Sequence, residues 1–142
     1  MNFVANLLIT LLIFFISLQF GNVPNVLGKN KVSNESLNQL LVNAKKYWQG
    51  RLTGDFITCY NLEEPNYRKS VPLSSYAKRR GIIYKEIHIQ KPQIQGNTAT
   101  VEVIMYYIIP AMGNHMFKMT VKDPWVIIEG KWYHQINNKE RR

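Results

Sequence analysis

From Phe3 to Phe20 the chain is apolar at every position except Asn6, Thr10, Ser17 and Gln19. Eighteen residues at a helical rise of 1.5 Å span roughly 27 Å, close to the hydrocarbon thickness of a bilayer. The run has no polar face, which argues against a helix half-buried in a globular core. Residues 1–21 are therefore read as a signal peptide or a membrane anchor. No Lys or Arg precedes the run, and Ser17 to Val23 offers no good pair of small residues for a signal peptidase. Both alternatives stay open. Lys29 and Lys31 would favour a cytoplasmic domain by the positive-inside rule. N-terminal segments of this kind nevertheless usually export the domain attached to them, and export is the expectation.

Residues 22–33 hold Asn, Gly and Pro without periodicity and read as a linker. A domain over 34–137 comes next. Leu37, Leu40, Leu41, Ala44, Tyr47, Trp48 and Leu52 recur at the spacing of one helical face. Ser33 or Asn34 can cap that helix, and Gly54 can end it. Asp55 can cap a second helix over about Phe56 to Leu62, which Pro65 is expected to stop. Phe56, Tyr60 and Cys59 would face inward. A third short helix over about Leu73 to Arg80 follows Pro72, with Tyr76 as its buried residue.

After Gly81 the period changes from helix to strand. Ile83, Lys85, Ile87 and Ile89 fall on one face; Ile82, Tyr84, Glu86 and His88 fall on the other. Gly96-Asn97 reads as a turn. Ala99 to Ile109 carries Val101, Val103, Met105 and Tyr107 on one face. His115 to Lys122 alternates Phe117, Met119 and Val121 with polar residues. Asp123-Pro124 is expected to interrupt that strand before Trp125 to Ile128 resumes it. Glu129-Gly130 is a two-residue hairpin signal, and Trp132 to Ile136 returns. Residues 138–142 read as a basic tail. Helices followed by an antiparallel meander predict an α+β domain, with the N-terminal helices packed on a strongly curved antiparallel sheet. Such a sheet wrapped around the first helix would form a cone with a cavity at its open end.

The chain carries 18 basic and 9 acidic residues, a net charge of +9. That balance favours anionic partners without choosing among membrane headgroups, nucleic acid, acidic proteins or small anions. Cys59 is the only cysteine, so no intrachain disulfide can form.

Several residues carry a family resemblance. Tyr47-Trp48-x-x-Arg51-x-x-Gly54-Asp55-x-x-x-x-Tyr60, then Pro65-x-Tyr67-Arg68, then Tyr76, resembles the helical half of proteins with the nuclear transport factor 2-like fold. Trp125-x-x-x-Glu129-Gly130-Lys131-Trp132-Tyr133 is similar to the closing motif of that superfamily, with Glu129 where Asp is usual. The resemblance covers about Asn34 to Ile136 and implies the cone-shaped fold. It implies no single function, because that fold hosts isomerases, dehydratases, transport factors and non-catalytic modules.

If Glu129-Gly130 is a two-residue loop, Ile127 pairs with Trp132 and Trp125 with His134, so these four side chains share one face. With Tyr60 and Tyr76 they make the expected pocket wall. The acid–base candidates are His134, His88 and Glu102. His88 and Glu86 share a face, and Glu102 on the next strand could meet one of them, either for proton abstraction or as a solvated charge pair. Catalytic members of the resembling superfamily use an Asp base with a Tyr-type donor, or an Asp–His pair; neither pattern can be laid on this chain. Asp55 reads as a helix cap, and Asp123 lies next to Pro124. No metal-ligand spacing, cofactor motif or glycine-rich phosphate loop occurs. Arg68, Lys69, Lys78, Arg79, Arg80 and Lys85 form a candidate anion-binding patch. The aromatic residues are not interleaved with it, which disfavours nucleic acid.

These features point to an extracytoplasmic binding or assembly module rather than an enzyme. It would meet the membrane through residues 3–20, with an anionic surface or a protein as partner, a small apolar ligand in the cavity, and room for a homodimer. An isomerase, dehydratase or hydrolase using the cavity is the competing reading. A membrane-anchored assembly component of a secretion system is the third.

Overall fold

The computed structural model describes residues 33–78 and 81–136. The proposed signal or anchor, the linker up to residue 32 and the basic tail lie outside the described residues, as do Arg79 and Arg80. No helix among the described residues is long and apolar enough to cross a membrane.

Four helices precede the sheet: α1 (Asn34–Thr53), α2 (Phe56–Leu62), α3 (Pro65–Ser70) and α4 (Leu73–Tyr76). Ser33 caps α1 by accepting a hydrogen bond from the Ser36 amide, and Gly54 ends it in the left-handed conformation at φ 81°. Asp55 caps α2, accepting from the Thr58 amide and hydroxyl. Those bonds hold the exposed Asp55 carboxyl below its usual range. Pro65 does not simply stop α2. It opens α3 as the first helical residue, where its missing N–H is no loss and its fixed φ suits the first turn.

The five strands are β1 (Ile83–Ile89), β2 (Gln93–Gln95), β3 (Thr98–Ile108), β4 (Met116–Ile128) and β5 (Lys131–His134). All pairings are antiparallel, in the order β1-β3-β4-β5, with β2 added to the start of β3. The sheet is strongly curled into a half-barrel, and the helices pack on it. Leu40, Ala44, Tyr47 and Trp48 of α1 meet Ala99, Val101, Val103 and Met105 of β3 in the core, together with Trp125 and Trp132. Asn43 of α1 donates to the Trp132 carbonyl, and Trp132 Nε1 donates to Ser36 Oγ. The helix is thereby fastened along the last strand.

Three strand expectations change. The register slips between Tyr84 and Glu86, leaving Lys85 as an extra residue in β1. Tyr84, Ile87 and Ile89 then pack toward the core, whereas Ile83 is 46% exposed. Regular alternation would have aimed Lys85 at the core with Ile87; the bulge turns it to solvent and avoids burying an unpaired ammonium. Second, the short strand β2 forms a hairpin with β3 through Gly96-Asn97. Third, β4 runs unbroken through Asp123-Pro124. The Pro124 carbonyl accepts from the Gln135 amide, so the proline nitrogen also faces the β5 side, at its frayed end. No ladder bond to β3 is lost. Glu129-Gly130 is the two-residue turn expected, with φ 50° and 77°, and it sets Trp125 opposite His134 and Ile127 opposite Trp132.

Candidate functional site

Three ionisable residues from distant parts of the chain meet in the interior. Glu63 follows α2, where a backbone bridge holds it beside His134 at the end of β5. Asp123 lies two residues before Trp125, the cross-strand partner of His134. Their exposures are 0% for Glu63, 4% for Asp123 and 6% for His134. His134 Nδ1 lies 2.8 Å from Glu63 Oε2, and its Nε2 lies 2.8 Å from Asp123 Oδ1.

The other carboxylate oxygens are occupied too. Glu63 Oε1 accepts from Tyr76 at 2.7 Å and from Tyr47 at 3.1 Å. Asp123 Oδ2 accepts from Trp125 Nε1 at 2.7 Å and from Trp48 Nε1 at 3.0 Å. Tyr47 also stacks on the imidazole, with ring centroids 4.1 Å apart. Burial alone would lower the His134 pKa. The Asp123 carboxylate, by charge and hydrogen bond, and the Glu63 carboxylate overcome that and raise it to about 10. At neutral pH the ring is an imidazolium that donates to a carboxylate from each nitrogen. The three groups then carry a net charge of −1. Burial, followed by the charge of Glu63, pushes the Tyr47 and Tyr76 hydroxyls well above their ordinary values, so both remain neutral donors.

A pocket of about 300 Å³ opens beside this network, lined by Tyr47, Tyr76, Glu63, Asp123 and His134 together with Arg51, Ile82, Tyr84, Met105, Met119, Val121 and Lys122. Arg51 donates to the Tyr84 hydroxyl at 3.2 Å, and its guanidinium carbon lies 5.4 Å from the centre of that ring. A wider, shallower groove of about 800 Å³ runs between α1 and β1, past Lys45, Lys46, Trp48, Leu52, Ile87 and Ile89.

Of the residues expected in the pocket wall, Tyr76 and His134 line it. Trp125 and Trp132 are fully buried in the core behind, and Ile127 is half-buried beside them. Tyr60 donates to the Arg68 and Val71 carbonyls and so ties α2 to α3. Of the acid–base candidates, only His134 is buried. His88 pairs with Glu86 at 2.9 Å, with 49% and 60% of their side chains exposed. Glu102 is exposed and in register with Lys122 on β4. Of the basic residues, Lys69, Lys78 and Lys85 are exposed, and Arg68 is half-buried. Glu63 carries no sequence signal beyond its place after a short helix, and Asp123 is hidden by its proline neighbour. Asp123 shares the strand face of Trp125, which also carries His134; extending the pairing by that one step would have found it.

No protein-family model matches the chain, and no match occurs among curated proteins. Among solved structures, the chain is similar to a SEC-C motif containing protein from Rhodopseudomonas palustris, with 16% identity and a TM-score of 0.52, over 77% of this chain and 92% of that one. It is also similar to a LEH-like epoxide hydrolase from M. tuberculosis, with 12% identity and a TM-score of 0.50, over 71% and 84%. A protein from Campylobacter jejuni described as an NTF2-like transpeptidase gives a TM-score of 0.45 at 18% identity, over 74% and 100%. At these identities the likeness shows a shared fold, helices on a curled antiparallel sheet.

Proposed function

We propose that this chain is an extracytoplasmic, non-catalytic binding or assembly module, with the pocket beside His134 as its ligand site. The observation that supports this most is the complete occupation of the buried ionic network. A general acid or base needs a proton position facing the substrate and a pKa near the working pH. Both nitrogens of His134 are held by carboxylates, its pKa is raised to about 10, and every carboxylate oxygen is engaged within the network. Removing one member of such a buried set typically costs about 3–5 kcal/mol, which suits a role in holding the fold together. The export part of the reading rests on the uncharged run from Phe3 to Phe20.

One observation favours the second reading, an isomerase, dehydratase or hydrolase. Glu63, Asp123 and His134 all reach the pocket wall, on a fold shared with a LEH-like epoxide hydrolase. The two readings part in one experiment. The full chain is incubated with epoxide, ester and β,γ-unsaturated ketone probes beside its Asp123→Asn variant. We expect no turnover above buffer from either; turnover by the parent that the variant lacks would establish the enzyme. Location is tested separately, with alkaline phosphatase fused after Arg142 on the full chain and on a form starting at Asn22. Activity in the full-length fusion alone is expected, and equal activity in both would refute export.

A further inference from the structure

Arg51 is a cation without a counter-ion. It is half-buried on the pocket wall, and among the described residues no carboxylate pairs with it. Among the described residues its side-chain hydrogen bond goes to Tyr84, which leaves most of its five N–H donors uncommitted to them. The two nearby carboxylates are already saturated by His134, tyrosines and tryptophans. A guanidinium half removed from water gains most from an acceptor that fills its planar fork.

Besides the polar residues Lys122 and Gln135, the lining includes the apolar side chains Ile82, Met105, Met119 and Val121. Ile82 and Met119 are among the exposed large hydrophobic residues. They mark where an apolar group would enter, and methionine adapts to varied shapes. About 300 Å³ is at the small end of ligand pockets.

Resting on the binding-module reading, we infer that the pocket takes a small monocarboxylate with an apolar tail, its carboxylate on Arg51 beside Tyr84 and its tail against Met105, Met119, Val121 and Ile82. A monoanion suits the site better than a dianion such as phosphate. The Glu63 and Asp123 carboxylates line the same pocket, and a second charge on the ligand would add to their repulsion. A planar carboxylate also matches the guanidinium fork with two parallel hydrogen bonds.

The test uses the full chain in neutral detergent, titrated with hexanoate, with its uncharged near-isostere hexanamide, and with inorganic phosphate. Binding is followed by tryptophan fluorescence, since Trp48 also lines the pocket. Hexanoate should saturate the signal and bind at least tenfold more tightly than hexanamide, as expected for hydrogen bonds between charged groups. Phosphate should not compete. Arg51→Gln should weaken hexanoate at least tenfold and leave hexanamide unchanged, whereas Arg51→Lys, which keeps the charge and loses the fork, should fall between. Thermal melts of each variant establish that it is folded. Equal binding of acid and amide by the parent, or undiminished hexanoate binding by a folded Arg51→Gln, would overturn the carboxylate assignment while leaving a binding pocket. Saturation by neither compound would overturn the assignment and the pocket's binding role together.

Discussion

The buried histidine makes a quantitative demand on stability. Its pKa rises from an ordinary 6.5 to about 10 in the folded chain. A group whose folded pKa is raised contributes stability that is fully present below the unfolded value and lost as pH rises through the folded one. The full gap corresponds to about 5 kcal/mol at 1.36 kcal/mol per pH unit. Other groups enter at higher pH: the Cys59 thiol, pushed up by burial to about 12, releases its proton earlier when unfolded, at its ordinary 9.0. The clean window is therefore about pH 6.5 to 9, where His134 alone should remove roughly 3 kcal/mol. With urea m-values of about 1–3 kcal/mol/M for small proteins, the midpoint should fall by on the order of 1–3 M. Urea unfolding of the full chain, followed by tryptophan fluorescence at several pH values, measures this. His134→Gln should start lower, because two buried carboxylates lose their shared cation, and should show almost no slope across the window. A parent midpoint equal at both ends of that window, or a variant sharing the parent's slope, would show that the ring is not held as an imidazolium.

Trp48 and Trp132 are core residues with their indole N–H groups satisfied, and replacing either with Ala should cost about 3–5 kcal/mol, read as a lower urea midpoint. Gly50→Ala, ordinarily a gain in a helix, should instead lower the melting temperature with a cost of about 1–3 kcal/mol. Its added Cβ would stand 2.7 Å from Cys59 Sγ and 2.9 Å from the Asp55 carbonyl oxygen. Glu129→Asn should raise the melting temperature slightly, since Glu129 sits at φ 50°, where Asn is better tolerated. Lys69, Lys78 and Lys85 are exposed, and each can contribute about 1 kcal/mol at an anionic surface. Their triple replacement by Ala should weaken binding to anionic vesicles roughly a hundredfold at low salt, and undiminished flotation with those vesicles would remove this patch as a contact surface.

Local signals carry much of the fold. The apolar stripe of α1, its Gly54 end, the Asp55 cap and the Glu129-Gly130 turn each depend on a few neighbouring residues, so their chemistry is visible in order along the chain. The turn also sets the pairing of Trp125 with His134, so strand alternation alone is enough to put the histidine on the inner face. The features that escape a linear reading depend on distant partners. Pro65 is legible as a boundary, but whether it ends one helix or begins the next depends on what packs beyond it. The bulge at Lys85 breaks an alternation that is regular on paper, because burying the ammonium costs more than the slip. Glu63 and Asp123 look like ordinary surface carboxylates. Only the meeting of α1, α4, β4 and β5 around the end of α2 gives them a histidine, two tyrosines and two tryptophans, and most of these bonds join residues too far apart in the chain to leave a local trace.

Glu63 is made long before the group that neutralises it, since His134 lies 71 positions later. Until β5 arrives, the Glu63 carboxylate has its two tyrosine donors but not the imidazolium that shares its charge, so closing the packing around it is costly. Completion of the interior is thus deferred until β5 has been made, and contacts of such sequence separation also form slowly. For a chain exported as proposed, that order has a use. A polypeptide that stays unfolded until its final strand emerges can be threaded through a narrow membrane pore, and the same histidine that locks the finished domain ensures that it does not lock too early.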